Sequence, residues 1–333
     1  MHPFGYIESQ SERGTGTRHE KCGQSSIEPR GQRSKLRHLK MLSDAGKYRA
    51  TDENNDPIGK IFVAHGLSGP WRRLKGTGVA NRIYATQDVI LRVATDHPEA
   101  IADALTESIA APTARRAGIL TPQLIAFDNS RTLMDLPFSL WERVHGETLG
   151  LSDLTGNIRD DIWREVGQQI ARLHDRVRSC NDPNGYLDTP TRALKLDLAL
   201  QRFADAERGN HDLVHGIECL ISDLSPFVAW DGPNCFVHND VHQCNVMCGR
   251  QGGLLALIDW GDAGWGDPAL DFAAVPLDSI SAALEGYGAR QRLGVHPEAR
   301  IIWDHLDCAL DEAIDDTKCT VPVADYRRLL DRT

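Results

Sequence analysis

Up to about residue 144 the apolar positions come mostly in short, strand-like runs; beyond it they fall at helical spacing. Lys60–Ala64 and Val89–Val93 read as strands, and Leu74–Ala85 as two strands joined by a Gly-rich turn. Leu120–Phe127 continues with Pro122 as an entry turn or edge strand, and Arg131–Asp135 with Phe138–Val144 reads as a hairpin. One helix interrupts them: His97–Ala117, with Pro98 in its first turn and Gly118 as its stop. Asn157–Arg178 then sets Ile162, Val166, Ile170, Leu173 and Val177 three to four residues apart, a long amphipathic helix with His174 at its polar edge. Further helices are expected over Ala193–Ala206, His211–Ala229, Leu277–Tyr287, Ala299–Ile314 and Val323–Asp331. Asp231-Gly232-Pro233 breaks the pattern, and two apolar runs of strand length follow, Cys235–Val237 and Leu254–Ile258.

Those two runs deliver the chemistry. Asp240 follows the first, Asp259 the second, and Asn245 lies five residues beyond Asp240. Phosphoryl transfer uses this set: a carboxylate to orient a hydroxyl and accept its proton, and oxygen ligands for Mg²⁺. The nearby Cys235, His238, His242, Cys244 and Cys248 invite a zinc reading, but their spacing matches no structural zinc pairing.

Composition narrows the class. The chain has 333 residues, 41% hydrophobic and 25% charged, ordinary values for a soluble globular protein. No run approaches the roughly 18 apolar residues that cross a membrane, and the first 30 residues hold no apolar core of a secretory signal. Eight cysteines without a framework pattern suit a reducing cytoplasm. Residues 1–45 read as a disordered or loosely attached tail, with a short helix possible near Ser34–Leu42. Residues 1–40 carry eight Lys/Arg against four Asp/Glu; the whole chain is −10, so the remainder is −14. That balance argues against nucleic acid and suits a cationic small molecule. The basic tail could touch nucleic acid or simply be solvated.

His238-Asn239-Asp240 with Asn245, then Ile258-Asp259-Trp260, then Gly266-Asp267-Pro268-Ala269-Leu270-Asp271 resembles the aminoglycoside phosphotransferase family of small-molecule kinases. The family's pattern is His-Gly-Asp-x4-Asn, Ile-Asp-Trp and Gly-Asp-Pro-x-x-Asp; Asn239 stands where Gly is usual. The resemblance spans about residues 70–290 and implies an α+β, bilobal, protein-kinase-like fold. Its small antiparallel-sheet lobe would take residues 46–143, and its larger, mostly helical lobe 144–333.

It also implies roles, with ATP or GTP as donor and Mg²⁺ as metal. Asp240 would be catalytic, Asn245 and Asp259 metal ligands, and His238 a brace for the loop. Gly76, Thr77 and Gly78 would approach the phosphates, although a plain hairpin turn reads the same way. Arg92 would hold the phosphates with Glu107 as its partner; the alternatives are a surface Arg and a surface Glu. Glu142, Arg143 and Val144 would form the hinge that seats adenine on backbone groups. Asp304, Asp307 and Asp311, on one side of a C-terminal helix, would line the acceptor site, or else form a solvated acidic face. The function implied is phosphorylation of an aminoglycoside or related aminocyclitol antibiotic. Alternatives are a kinase for choline, homoserine, a thiosugar or a macrolide sugar, and a degenerate nucleotide-binding regulator.

The tail holds too little apolar surface to join a core. Deleting residues 1–40 is therefore expected to leave the thermal midpoint within a degree or so of the full chain. A calorimetric drop of many degrees would show that the tail docks.

Overall fold

The computed structural model describes residues 56–74, 81–288, 290–315 and 320–331. The tail and the Gly76–Gly78 turn lie outside these residues. The first described element is a helix, α1 (Pro57–Ala64), where the sequence suggests a strand over Lys60–Ala64. Asp56 caps it, its Oδ1 accepting from the Ile58 amide at 2.9 Å, and Pro57 opens its first turn. Ile58, Ile61 and Phe62 are buried at helical spacing, a period that a five-residue window is too short to reveal.

The strands β1 (Arg72–Leu74), β2 (Asn81–Ala85), β3 (Val89–Ala94), β4 (Leu124–Asp128) and β5 (Phe138–Glu142) form an antiparallel sheet in the order β1-β2-β3-β5-β4. The expected hairpin is thus β4 with β5, and Arg131–Asp135 is not a strand. There the Asp128 carboxylate takes the Ser130 amide, and Arg131 adopts φ 64°, which ends an extended run. Along β3, Val89, Leu91 and Val93 are buried with Ile61, Phe62, Phe138 and Leu140. Strand alternation then turns Arg92 to the opposite face. There it meets α2 (Pro98–Arg116).

Beyond β6 (Glu147–Thr148) the chain is mainly helical: α3 (Gly156–Arg176), α4 (Asp197–Asp205), α5 (His211–Leu224), then α6 (Ile280–Tyr287), α7 (Pro297–Asp315) and α8 (Val323–Leu330). Between α5 and α6 lie β7 (Cys235–Val237), β8 (Val246–Cys248), β9 (Leu254–Leu257) and β10 (Gly264–Gly266). They pair as β7 with β10 and as a β6-β8-β9 sheet, bringing the ends of β7 and β9 to one edge. Behind that edge, α3 contributes Ile162, Trp163, Val166, Ile170 and Leu173 to one continuous core. No described helix is long and apolar enough to cross a membrane.

Helices α3 and α6 touch backbone to backbone. A Cβ on Gly167 would overlap the Ala283 carbonyl oxygen, and one on Gly286 that of Arg164. Alanine in a helix interior ordinarily gains up to about 1 kcal/mol over glycine, but here the helices would have to separate. Gly167→Ala is expected to destabilise by about 1–3 kcal/mol, read as a fall of several degrees in the thermal midpoint.

Candidate active site

The site is held together from its main chain outward. At the end of β7, Asn239 has φ 66°, and at the end of β9, Asp259 has φ 67°; both lie in the left-handed region. Glycine is at ease there and asparagine is the next best choice, which explains Asn239 where the family pattern has Gly. Its Nδ2 also donates to the Asp262 carbonyl at 3.3 Å. Its amide donates to Asp271 Oδ1 at 2.6 Å, and Asp271 Oδ2 meets His174 Nε2 at 2.9 Å. His174 Nδ1 lies 3.1 Å from the Tyr287 hydroxyl. His174 is not at a polar edge: its side chain and that of Asp271 are wholly buried. They form a polar core under the loop.

Histidines fix the next layer. His238 Nδ1 accepts from the Asp240 amide at 3.3 Å, and Nε2 meets the Ile258 carbonyl oxygen at 3.1 Å. A ring nitrogen that accepts from an amide carries no proton, so Nε2–H is the donor and ties the two strand ends together. The Ile258 amide donates to the Asn245 carbonyl at 3.0 Å. Asn245 Nδ2 donates to Asp240 Oδ2 at 2.8 Å and to the Asp240 carbonyl oxygen at 3.0 Å. Asp240 Oδ1 is buried and has no hydrogen-bond partner among the described residues.

Arg92 closes the site from β3. Its Nη1 donates to Glu107 Oε1 at 2.6 Å and its Nη2 to Asp259 Oδ1 at 2.9 Å. Burial opposes the guanidinium charge, but Glu107 and then Asp259 outweigh it and raise its pKa. Burial raises the Glu107 carboxyl to about 7, against the pull of Arg92. The surrounding protein works against the Asp259 carboxylate too, yet Arg92 prevails and holds its pKa below the usual carboxylate range. Asp259 leaves 46% of its side chain exposed, open for a further ligand. Asn245 and Asp259 can thus offer hard oxygen donors to Mg²⁺. That ion usually takes one or two protein carboxylates and completes its shell with phosphate and water. Consistent with so sparse a set, no group of three or more His, Cys, Asp or Glu among the described residues could hold a metal.

Other expected residues sit differently. The Glu142 amide donates to the Gln123 carbonyl at 2.9 Å and the Arg143 amide to that of Asp88 at 2.9 Å. Both are spent in the sheet, leaving the Val144 amide without a partner among the described residues. Asp304 does not face an acceptor: it is buried and takes Arg192 through both oxygens, at 2.7–3.0 Å. Arg192 Nη1 also donates to Asp267 at 2.6 Å, which in turn takes Arg300 Nε at 2.8 Å. Asp311 pairs with Arg202 at 2.8 Å, and Asp307 also has an interaction partner. The spacing that puts acids on one side of α7 is real, but arginines more than a hundred residues away neutralise two of them. His242, Arg192 and Arg300 are the residues sequence reasoning did not place. His242 carried a signal, lying two positions from Asp240.

A family model described as the phosphotransferase enzyme family matches residues 72–301. No curated protein matches the chain. The GDP complex of an aminoglycoside 2'-phosphotransferase is similar with a TM-score of 0.55 at 15% identity, over 82% of this chain and 95% of that one. A spectinomycin phosphotransferase with ADP and spectinomycin gives 0.53 at 13%, over 82% and 92%. A macrolide 2'-phosphotransferase from Brachybacterium faecium gives 0.51 at 16%, over 81% and 94%. At such identities the likeness is one of fold, the protein-kinase-like α+β fold.

Asp271→Ala would strip the Asn239 amide and His174 Nε2 of their buried acceptor. Each unsatisfied buried group costs about 1–3 kcal/mol, so a stability loss of about 2–5 kcal/mol is expected in denaturant titration. An unchanged midpoint would mean that the loop holds its left-handed turn without this anchor.

Proposed function

Because the chain belongs to the phosphotransferase enzyme family, whose chemistry makes it a small-molecule kinase, we propose that it transfers the terminal phosphoryl group of ATP or GTP to a hydroxyl of an aminoglycoside or related aminocyclitol. The observation that carries the reading is the Asp240 carboxylate, whose Oδ1 is buried without a hydrogen-bond partner among the described residues, beside the Asn245, Asp259 and Arg92 network. As the acceptor oxygen bonds to phosphorus and the bond to the leaving diphosphate breaks, the Asp240 carboxylate takes the hydroxyl proton. Arg92 would position the phosphates, the resemblance adding Gly76, Thr77 and Gly78, and Val144 would offer its amide to the base. Asn245 and Asp259 would hold Mg²⁺, which would supply charge neutralisation at the phosphates. The protein's own share is alignment and fixed electrostatics, with no covalent enzyme intermediate.

A second reading is a kinase for another small hydroxyl compound, such as choline, homoserine, a thiosugar or a macrolide sugar. The pairing of Asp304 and Asp311 with arginines favours it, because it removes two charges that a polyamine would seek. The case for a cationic acceptor then rests on the acidic body of the chain. A degenerate regulator would not need an unpartnered carboxylate oxygen at this position.

Phosphate transfer from ATP and GTP to a panel of aminoglycosides, spectinomycin, macrolides, choline and homoserine separates these readings. An aminoglycoside or aminocyclitol is expected to be the best acceptor, its affinity falling with salt. A best acceptor without amines would shift the assignment to the second reading. In the same assay Asp240→Asn should lose more than about nine-tenths of turnover while nucleotide affinity stays within a few-fold. Retained turnover would remove Asp240 from its role.

A further inference from the structure

His242 has no part in the chemistry described so far, yet its ring lies against the reacting carboxylate. Its Nε2 is 3.5 Å from Asp240 Oδ2, and both side chains are about 15% exposed. That separation is long for a hydrogen bond, and such contacts commonly tighten once a site is occupied. The other face of the ring is fixed: Nδ1 accepts from the Cys244 amide at 3.1 Å. This repeats, four residues on, the device by which His238 Nδ1 accepts from the Asp240 amide. Burial disfavours an imidazolium here, while hydrogen bonds to Asp240 and Cys244 would lift its pKa to about 10. The Cys244 amide, pointing at Nδ1, opposes a proton there. Nε2 bears hydrogen in either state, so the direction of its bond to Asp240 does not depend on titration.

Both donors aim at one oxygen. Asn245 Nδ2 reaches Oδ2 at 2.8 Å, and His242 Nε2 faces the same atom. Oδ1 is buried and has no hydrogen-bond partner among the described residues. A carboxylate with one oxygen doubly engaged cannot rotate without breaking both contacts, so its two oxygens become unequal.

We propose that His242 is a positioning residue for phosphoryl transfer: together with Asn245 it flanks Oδ2 of Asp240 and so fixes the plane of the carboxylate that meets the acceptor hydroxyl. This rests on the assignment of Asp240 as the group that takes the hydroxyl proton. Without His242 the carboxylate pivots on the Asn245 bond to Oδ2, and the fraction of complexes with the carboxylate correctly placed falls. Nucleotide affinity, assigned to Arg92 and the Val144 amide, is expected to be unaffected.

Two substitutions divide the ring's functions. In His242→Asn the shorter amide can still accept from Cys244 but cannot reach Asp240; in His242→Gln the amide nitrogen stands near the place of Nε2. Turnover of MgATP would be followed with kanamycin, streptomycin and spectinomycin, and with water alone as the acceptor. Nucleotide affinity and thermal midpoint would be measured alongside. His242→Asn is expected to lower kcat about tenfold or more with the KM for ATP within about threefold, and His242→Gln to recover most of the rate. Equal rates for wild type and His242→Asn would overturn the proposal. So would a His242→Gln variant as slow as His242→Asn, or a loss that tracks nucleotide affinity or midpoint instead of kcat. Asp240→Asn is run beside them. If it keeps its turnover, the parent assignment fails; if it is inactive while His242→Asn runs at full rate, only the role of His242 fails.

Discussion

The buried guanidinium of Arg92 is the constraint on which the site depends. An arginine cannot shed its charge, so a buried one must be paired, and removing one partner leaves an uncompensated charge. Here the partners come from separate elements, Glu107 from α2 and Asp259 from the end of β9, while Arg92 itself stands on β3. Sheet, helix and catalytic edge are therefore held by one electrostatic condition. The Trp260 amide, 3.4 Å from the same Glu107 oxygen, adds a main-chain tie between α2 and that edge.

That Asp240, Asn245 and Asp259 come together was legible in the sequence because their arrangement is local. Asp240, Asn245 and Asp259 lie within twenty residues of one another, on turns whose conformations follow from strand ends and hydrogen-bonding side chains. Arg92 and Glu107 were legible for a related reason, one strand and the next helix being short-range neighbours in the chain. What failed was of two kinds. Lys60–Ala64 and Arg131–Asp135 are short windows, where a capping aspartate or a left-handed residue overrides apolar content. The partners of Asp304 and Asp311 went unforeseen because periodicity locates a helix face but says nothing of an arginine brought over from position 192 or 202. The tautomer of His242 belongs with these, since it depends on where one amide points.

Those arginines change how the C-terminal helices should be viewed. Arg192 and Arg300 converge on Asp267, in the segment just after the catalytic edge, and Arg192 also clasps Asp304 on α7. With these side chains at most 8% exposed, the network is shielded from salt in a way that surface pairs are not. It fixes α7 relative to the loop beside Asp259, so the carboxylates of α7 serve the register of the fold as much as any ligand.

The left-handed turn at Asn239 bears on how divergence within such a loop should be interpreted. Glycine and asparagine are near-equivalent in that backbone region, so an exchange between them is a silent spelling change in a catalytic signature. A β-branched residue would be another matter, because its cost in that region would fall on the amide that Asp271 holds and on the carboxylate one residue later. Loss of the signature glycine is thus no sign of a retired enzyme; the stereochemistry of its replacement is what distinguishes drift from decay.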